Sequence, residues 1–126
     1  MAKKIFTFRG KTLEELQQLT EKELSLLLPS KQRRKIKRGF TEPMKKLWKK
    51  IEAKDNVKTH QRDMIVMPTM VGKMVKIHTG KEWIPVMLEP DMIGCYLGEL
   101  ILTRKKVNHS APGIGATKSS AHTAVK

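Results

Sequence analysis

The chain has 126 residues, and its 26 Lys and Arg residues against 12 Asp and Glu give a formal net charge of +14. This length suits one modest domain with extensions, and the charge favours a polyanionic partner, with nucleic acid ahead of a membrane surface. Aromatic residues make up only 5% of the chain, which excludes a sheet that stacks several RNA bases on its rings.

The first half of the sequence is predicted to be helical. Thr-x-x-Glu capping boxes at 12–15 and 20–23 indicate two short helices that end near Leu19 and Leu28. In such a box the hydroxyl accepts from the amide three residues on, while Glu reaches back to the capping residue. This capping role explains Glu15 without acid–base catalysis.

A strongly basic segment follows, with eleven basic and two acidic residues between Lys31 and Lys54. Ser30 is expected to cap a third helix, which ends at Gly39 and carries no acidic residue. A solvated helix face normally mixes the two signs, so a purely cationic helix favours phosphate binding. We predict RNA contacts from its Arg33, Arg34, Lys35, Lys37 and Arg38.

A fourth helix is predicted to begin at Thr41. Its apolar residues fall at i, i+3, i+4 and i+7 and form one buried seam. These residues are Met44, Leu47, Trp48 and Ile51. The lysines between them face away, so any function of this helix depends on its charge.

The second half is predicted to form a small sheet. The segment 55–62 is interpreted as a polar connection, and β-branched residues dominate afterwards. Strands are predicted at 64–67, 74–78 and 82–88. Gly80 supplies the positive φ of a tight hairpin. Pro85 lacks an amide hydrogen, so its strand is expected to lie at an edge or to carry a bulge.

Two Pro-to-Gly segments, 68–72 and 90–94, are predicted to be one-turn helices between the strands, with Pro first and Gly just past the end. The fold class is therefore α+β: a sheet of about three strands with N-terminal helices, one-turn helices and a flexible basic C-terminal tail. We expect a helical basic region at 1–57, an α+β core domain at 58–106 and an RNA-contacting tail at 107–126.

The tail contains a sequence similar to a phosphate loop, from Gly113 to Ser119. Thr117 stands where that loop requires Gly, and no strand or helix is predicted around it, so nucleotide hydrolysis is not expected. Glycines beside Lys118 still let the backbone approach phosphates, and we predict an RNA contact from this lysine.

Catalytic and metal-binding patterns are scarce. The single Cys95 cannot form an internal disulfide, is expected to be buried, and favours a reducing, intracellular compartment. Neither a secretory signal nor a run of about 18 apolar residues is found. The histidines are scattered and lack the spacing of metal ligands; they are His60, His78, His109 and His122. We expect no enzymatic activity, no cofactor and no metal.

The sequence resembles the universal small-subunit ribosomal protein number nineteen family. The second half carries the main motifs, which are Thr79-Gly80-Lys81, Leu88, Ile93-Gly94, Leu97-Gly98-Glu99-Leu100 and Thr103, with Thr59-His60, Arg62-Asp63-Met64-Ile65 and Met70-Val71-Gly72 upstream. Further matches resemble the archaeal and eukaryotic branch, and these are Phe8-Arg9-Gly10, Gln32-Arg33-Arg34, Arg38-Gly39 and Pro112 to Thr117. Leu100 departs from the family's usual aromatic residue, and the segment 41–56 matches least closely.

The resemblance implies an α+β domain seated on ribosomal RNA in the head of the small subunit, in the cytoplasm and without homo-oligomers. It also implies ribosomal protein thirteen as a neighbour and a tail that approaches transfer RNA near the decoding region. Thr59, His60, Arg62 and Lys81 fall on matching family positions and are predicted to contact RNA. Charge and placement add Lys73, Lys76, Arg104, Lys105 and Lys106. A chromatin-like DNA-binding protein is the alternative that shares this charge.

Overall fold

The computed structural model describes residues 5–110, 113, 115 and 117–122. Within them, the helices are α1 (Leu13–Gln18), α2 (Glu21–Leu27), α3 (Ser30–Arg38) and α4 (Glu42–Ala53). The strands are β1 (Val57–Thr59), β2 (Met74–His78) and β3 (Trp83–Met87), and short 3-10 helices lie at Pro68–Met70, Pro90–Met92 and Leu97–Leu100. The predicted α+β class is confirmed.

The first two helices begin as their capping boxes predict. The amide of Thr12 donates to Glu15 Oε2 at 2.9 Å, and the amide of Thr20 donates to Glu23 Oε2 at the same distance. The Ser30 cap is wrong: Ser30 is already the first residue of α3, and no side chain caps this helix. Pro29, which has no hydroxyl, occupies the capping position instead.

Helix α4 has the predicted apolar seam, with Met44, Leu47 and Ile51 buried. Trp48 is half-buried at the margin of this seam, where its ring meets the Phe40 ring edge-on at 5.7 Å. The lysines between the seam residues are exposed, as predicted. Helix α4 therefore contributes one face to the core and leaves a basic face in solvent.

The sheet has the order β1-β2-β3. Strand β2 pairs in parallel with β1 and antiparallel with β3, and the hairpin register places His78 opposite Trp83. Gly80 in the hairpin loop has a φ of 110°. Pro85 lies on the edge strand β3, which confirms its predicted position, because an edge strand can leave one amide side unpaired.

Two strand assignments were wrong. The segment Met64 to Met67 is not a strand; it is fully buried and makes one isolated bridge, Ile65 to Tyr96. Burial on all sides gives an apolar run like that of a buried strand, although no neighbouring strand lies beside it. Conversely, β1 lies inside the supposed polar connection 55–62, because its parallel partner β2 is distant in sequence.

One hydrophobic core joins the helices to the sheet, and it includes Leu16 and Leu28 as well as Ile65 and Ile77. Both one-turn helices begin at Pro, as predicted, and Gly72 and its counterpart at position 94 have φ near 85°. No helix among the described residues is long and apolar enough to cross a membrane. The predicted phosphate-loop likeness and tail fall partly outside the described residues, at 111–112, 114, 116 and 123–126.

Candidate RNA interface

Helix α3 presents a row of cations on one face, because residues spaced by three and four positions lie above one another on a helix. The row consists of Lys31, Arg34, Lys35 and Arg38. These residues line a cleft of about 830 Å³, which we call the α3 cleft. The opposite wall is formed by Arg62, Asp63, Tyr96, Gly98 and Glu99. Five cations therefore surround two carboxylates, so the cleft favours an anionic ligand.

Tyr96 lines the α3 cleft beside two of its lysines. The Nζ atoms of Lys31 and Lys35 lie 5.2 and 5.3 Å from its ring centroid, within cation–π range. Desolvation by burial raises the pKa of the Tyr96 hydroxyl, and the carboxylates of Glu99 and Asp63 raise it further. The hydroxyl therefore stays protonated and can donate to a phosphate or ribose oxygen.

Lys35 also contacts Asp63 directly. Its Nζ lies 3.0 Å from Asp63 Oδ2 and donates to the Asp63 carbonyl oxygen as well. The Asp63 side chain is largely exposed, so this ion pair adds little stability. Its main consequence is to hold the Lys35 ammonium group between the aspartate and the Tyr96 ring.

A close backbone approach positions Arg62 at the rim of the cleft. The amide of Gly98 donates to the Arg62 carbonyl oxygen at 2.7 Å. A Cβ atom at Gly98 would lie 3.1 Å from both that oxygen and the Arg62 Cβ. Any larger residue would force Arg62 to shift by a few tenths of an ångström, which gives a physical role to one residue of the Leu97-Gly98-Glu99 motif.

Three arginines of the cleft are available to a ligand. Within the described part of the chain, the guanidinium groups of Arg34, Arg38 and Arg62 have no hydrogen-bond or ion-pair partner, and all three residues are exposed. The C-terminal end of the α3 dipole favours cations such as Arg38 at its last turn. These guanidinium groups can form paired hydrogen bonds with phosphate oxygens.

Arg33 lies on a different side of α3 and is already occupied. Its Nε donates to the Ser25 carbonyl at 3.2 Å, and its Nη2 donates to the carbonyls of Leu26 at 3.3 Å and Leu28 at 3.1 Å. The bonds to Leu26 and Leu28 satisfy carbonyl groups at the end of α2 that have no other donor among the described residues, whereas the Ser25 carbonyl also accepts from the Leu28 amide at 3.4 Å. Sequence reasoning missed this structural role, since charge alone does not show which cations bind backbone oxygens.

The other cation of α3, Lys37, is exposed and lies away from the cleft. It borders a separate groove that also involves Lys22 and Leu26. The predicted residues of the α3 segment therefore divide into three places: Arg34, Lys35 and Arg38 at the cleft, Arg33 at the α2–α3 corner, and Lys37 beyond it.

Three predicted contacts lie on the sheet or in its hairpin loop. Thr59 is only 5% exposed, and its Oγ1 accepts from the Gln61 amide at 2.9 Å, so its hydroxyl shapes the turn after the strand. Lys76 is half-buried on β2, and Lys81 is exposed in the hairpin loop. Their RNA contacts remain predictions.

Three rings come together beside this loop. The centroid of His60 lies 4.5 Å from that of His78 and 4.8 Å from that of Trp83, and the last two are 4.7 Å apart. Lys58 Nζ lies 5.6 Å from the Trp83 centroid. The Gly80 amide donates to His78 Nδ1 at 3.1 Å, so neutral His78 carries its proton on Nε2. Two of the four histidines that are scattered in the sequence, His60 and His78, thus lie beside each other in the fold.

The remaining predicted cations lie near the sheet edge and in the tail. Lys73 Nζ lies 3.5 Å from Asp55 Oδ1, and Lys105 pairs with Glu82, whose pKa is lowered by this hydrogen bond and charge. These ion pairs are exposed and weak. The other predicted residues are exposed, and they are Arg104, Lys106 and Lys118.

Cys95 is half-buried rather than fully buried. Burial raises the pKa of its thiol, and the nearby Glu99 raises it further. The thiol therefore stays protonated at neutral pH and is a poor nucleophile. Among the residues that the structure describes, no three His, Cys, Asp or Glu side chains are grouped to hold a metal ion.

An α+β domain with a cationic cleft and exposed arginines is typical of an RNA-binding protein. The family model described as Ribosomal protein S19 matches residues 31–109, more than half of the chain. The chain belongs to the ribosomal protein S19 family, which confirms the resemblance found in the sequence. It is therefore a structural, rRNA-binding component of the small ribosomal subunit, with rRNA and ribosomal proteins as partners. The family is a structural family and not an enzyme family.

Proposed function

We propose that this protein binds ribosomal RNA in the head of the small subunit through the α3 cleft. One observation carries this proposal. The guanidinium groups of Arg34, Arg38 and Arg62 line the cleft, are exposed, and have no partner among the residues that the structure describes. Cations that are not neutralised within the fold remain available to phosphates, and their counterions are released when RNA binds.

The cleft geometry suits a folded RNA backbone. Arg34 and Arg38 lie one turn apart on α3, which separates them by about 6 Å along the helix axis. They can therefore address neighbouring phosphates, while the Tyr96 hydroxyl donates to a third oxygen. The packed domain fixes these spacings, so RNA strands that would repel one another are held together. A-form RNA hides its major-groove base edges, and the contact therefore reads shape more than sequence.

The chain beyond the core extends this role. In this proposal, residues 1–57 and 58–106 form the RNA-seated body, and the tail 107–126 points toward the decoding region and approaches transfer RNA. The exposed cations Arg104 and Lys106, just before the tail, and Lys118 within it support an RNA environment for this part of the chain. Ribosomal protein thirteen is the proposed neighbour in the head.

A competition experiment tests the proposal. A labelled transcript of the small-subunit head domain is bound by the protein and challenged with unlabelled transcript or with duplex DNA of equal length. We expect the RNA competitor to displace the label at a lower concentration than the DNA competitor does. Equal or better competition by duplex DNA would favour a chromatin-like role and contradict the proposal.

The variant Arg34→Gln/Arg38→Gln connects that experiment to the α3 cleft. It should bind the head transcript more weakly and lose much of the preference for RNA. Lys46→Gln/Lys49→Gln is the matched control, because it removes the same charge from the exposed face of α4. An equal loss in the two variants would show that net charge, and not the cleft, determines binding.

A further inference from the structure

We propose that His60, His78 and Trp83, here called the ring cluster, form a stacking site for one unpaired RNA base. This inference depends on the proposed RNA binding but concerns a different surface from the α3 cleft. The stacking site would bind the base itself, by a contact that is not electrostatic, in addition to the phosphate contacts described above. Stacking on aromatic side chains is a general way of holding single-stranded bases.

The sheet register places the ring cluster at one level. His78 and Trp83 are direct cross-strand partners at the hairpin end of β2 and β3. His60 follows Thr59, which is aligned with Ile77 in the parallel pair, so it lies beside His78. Strands β2 and β3 and the residue that follows β1 thus bring their rings to one corner, with all centroid separations between 4.5 and 4.8 Å. A rigid scaffold holds this surface in place before a ligand arrives.

Trp83 does not serve the hydrophobic core. The other five Phe, Trp and Tyr residues of the chain are either buried in the core or packed against it, whereas Trp83 is neither. It is half-buried among His60, His78 and the Lys58 ammonium group. An indole ring placed outside the core, between imidazoles and a cation, is better suited to a π ligand than to a role in packing.

The chemistry of this corner favours a nucleobase over an apolar protein segment. The exposed large hydrophobic residues of the described chain are Ile5, Leu26, Met87 and Leu102, and none belongs to the ring cluster. The flanking cations Lys58 and Lys81 are exposed and can contact the phosphates on either side of a stacked base. An aliphatic side chain would gain nothing from those charges.

Hairpin packing alone does not account for the ring cluster. A cross-strand pair such as His78 and Trp83 stabilises a hairpin by itself. His60 is exposed and lies beyond the last residue of β1, so its approach to both rings is not required by the hairpin. The surface that it offers to solvent is therefore the part of the cluster that a base can reach, and His60 is the residue to change.

Fluorescence of Trp83 provides the test. The full-length Trp48→Phe protein leaves Trp83 as its single tryptophan. It is titrated with a ten-nucleotide oligoadenylate and with an abasic ten-mer that carries the same phosphates without bases. We expect the oligoadenylate to quench Trp83 and to bind about tenfold more tightly than the abasic strand, because stacking requires the base.

Variants at His60 separate stacking from charge and from folding. His60→Ala should lower oligoadenylate affinity by about tenfold and leave abasic binding unchanged, whereas His60→Phe should retain oligoadenylate binding. Thermal melting of each variant checks that the fold is intact. Equal affinities for the two strands, no binding of either, or equal losses in His60→Ala and His60→Phe would overturn the inference. Binding of the head transcript that still depends on Arg34 and Arg38 would then leave the proposed function standing.

Discussion

Removing Arg34 and Arg38 together should change how salt affects RNA binding. Both guanidinium groups border the α3 cleft, and neither has a partner among the described residues. Replacing them with Gln removes two phosphate contacts without breaking an internal bond. We therefore expect the thermal midpoint to stay unchanged and the loss to appear in binding.

The magnitude follows from counterion release. Each phosphate contact contributes about 0.7 to 0.9 to the slope of log affinity against log salt concentration. If each of Arg34 and Arg38 neutralises one phosphate, the double variant should have a slope shallower by about 1.5. The affinity ratio between the unmodified protein and the variant should then fall by about eightfold between about 50 and 200 mM salt.

The assay is a filter-binding titration of the head-domain transcript at five or more salt concentrations. Lys46→Gln/Lys49→Gln, which removes the same charge from α4, serves as the control and should change the slope by less than about 0.5. An unchanged slope for Arg34→Gln/Arg38→Gln would refute the role of the cleft. The same would follow if the two double variants reduced the slope equally.

Three further predictions concern the scaffold. Arg33→Met should lower the free energy of unfolding in urea by about 2 kcal/mol, since it leaves the Leu26 and Leu28 carbonyl groups without a donor and removes one of the two donors to Ser25. Lys37→Met on the same helix should change it by less than about 0.5 kcal/mol, and equal effects would contradict the capping role. Gly98→Ala should lower the free energy of unfolding by about 1 to 3 kcal/mol in the same experiment and weaken RNA binding, because the added Cβ forces Arg62 to move. An unaltered unfolding midpoint would show that Arg62 accommodates the added Cβ at no cost. Hydrogen bonds from Thr20 lower the pKa of Glu23 below its ordinary 4.5, so the stability from this carboxylate is present above that pH and is lost as pH falls through the folded-state pKa. Glu23→Gln should therefore flatten the acid side of the stability profile, and a profile that is as steep as before would refute this.

Local chemistry explains most of what the sequence predicted correctly. The boxes beginning at Thr12 and Thr20 depend on residues three positions apart, and both are present. Likewise, Pro85 and Gly80 restrict their own backbone, and both lie where such restrictions are tolerated. The α+β class followed from features of this kind, which do not depend on the tertiary fold, whereas the family followed from the resemblance of the sequence motifs to a known family.

The two errors in strand assignment came from contacts between residues far apart in sequence. Strand β1 has only three residues and a polar neighbourhood, and its parallel partner begins at Met74. The buried segment Met64 to Met67 resembles a strand, but its backbone bonds to the loop residues Gly94 and Cys95. An apolar run indicates burial, whereas only the pairing decides between strand and coil.

The candidate site shows the same limit. The spacing of Arg34 and Arg38 on one helix was visible in the sequence, and the cleft opposite them was not. Composition did not show that Arg33 would bind the carbonyl groups of α2. The ring cluster needed the register of three strands, although the hairpin alone could have paired His78 with Trp83.

Radical cleavage from a probe attached beside the α3 cleft tests the central claim most directly. Cys95→Ser removes the single native thiol, and Arg38→Cys or Leu26→Cys then provides one attachment point for an iron chelate in reconstituted small subunits. Position 38 borders the cleft, and position 26 borders the separate groove beside α2. The account predicts strong cleavage of head-domain rRNA from position 38 and weaker cleavage from position 26. Strong cleavage from position 26 with none from position 38 would contradict it.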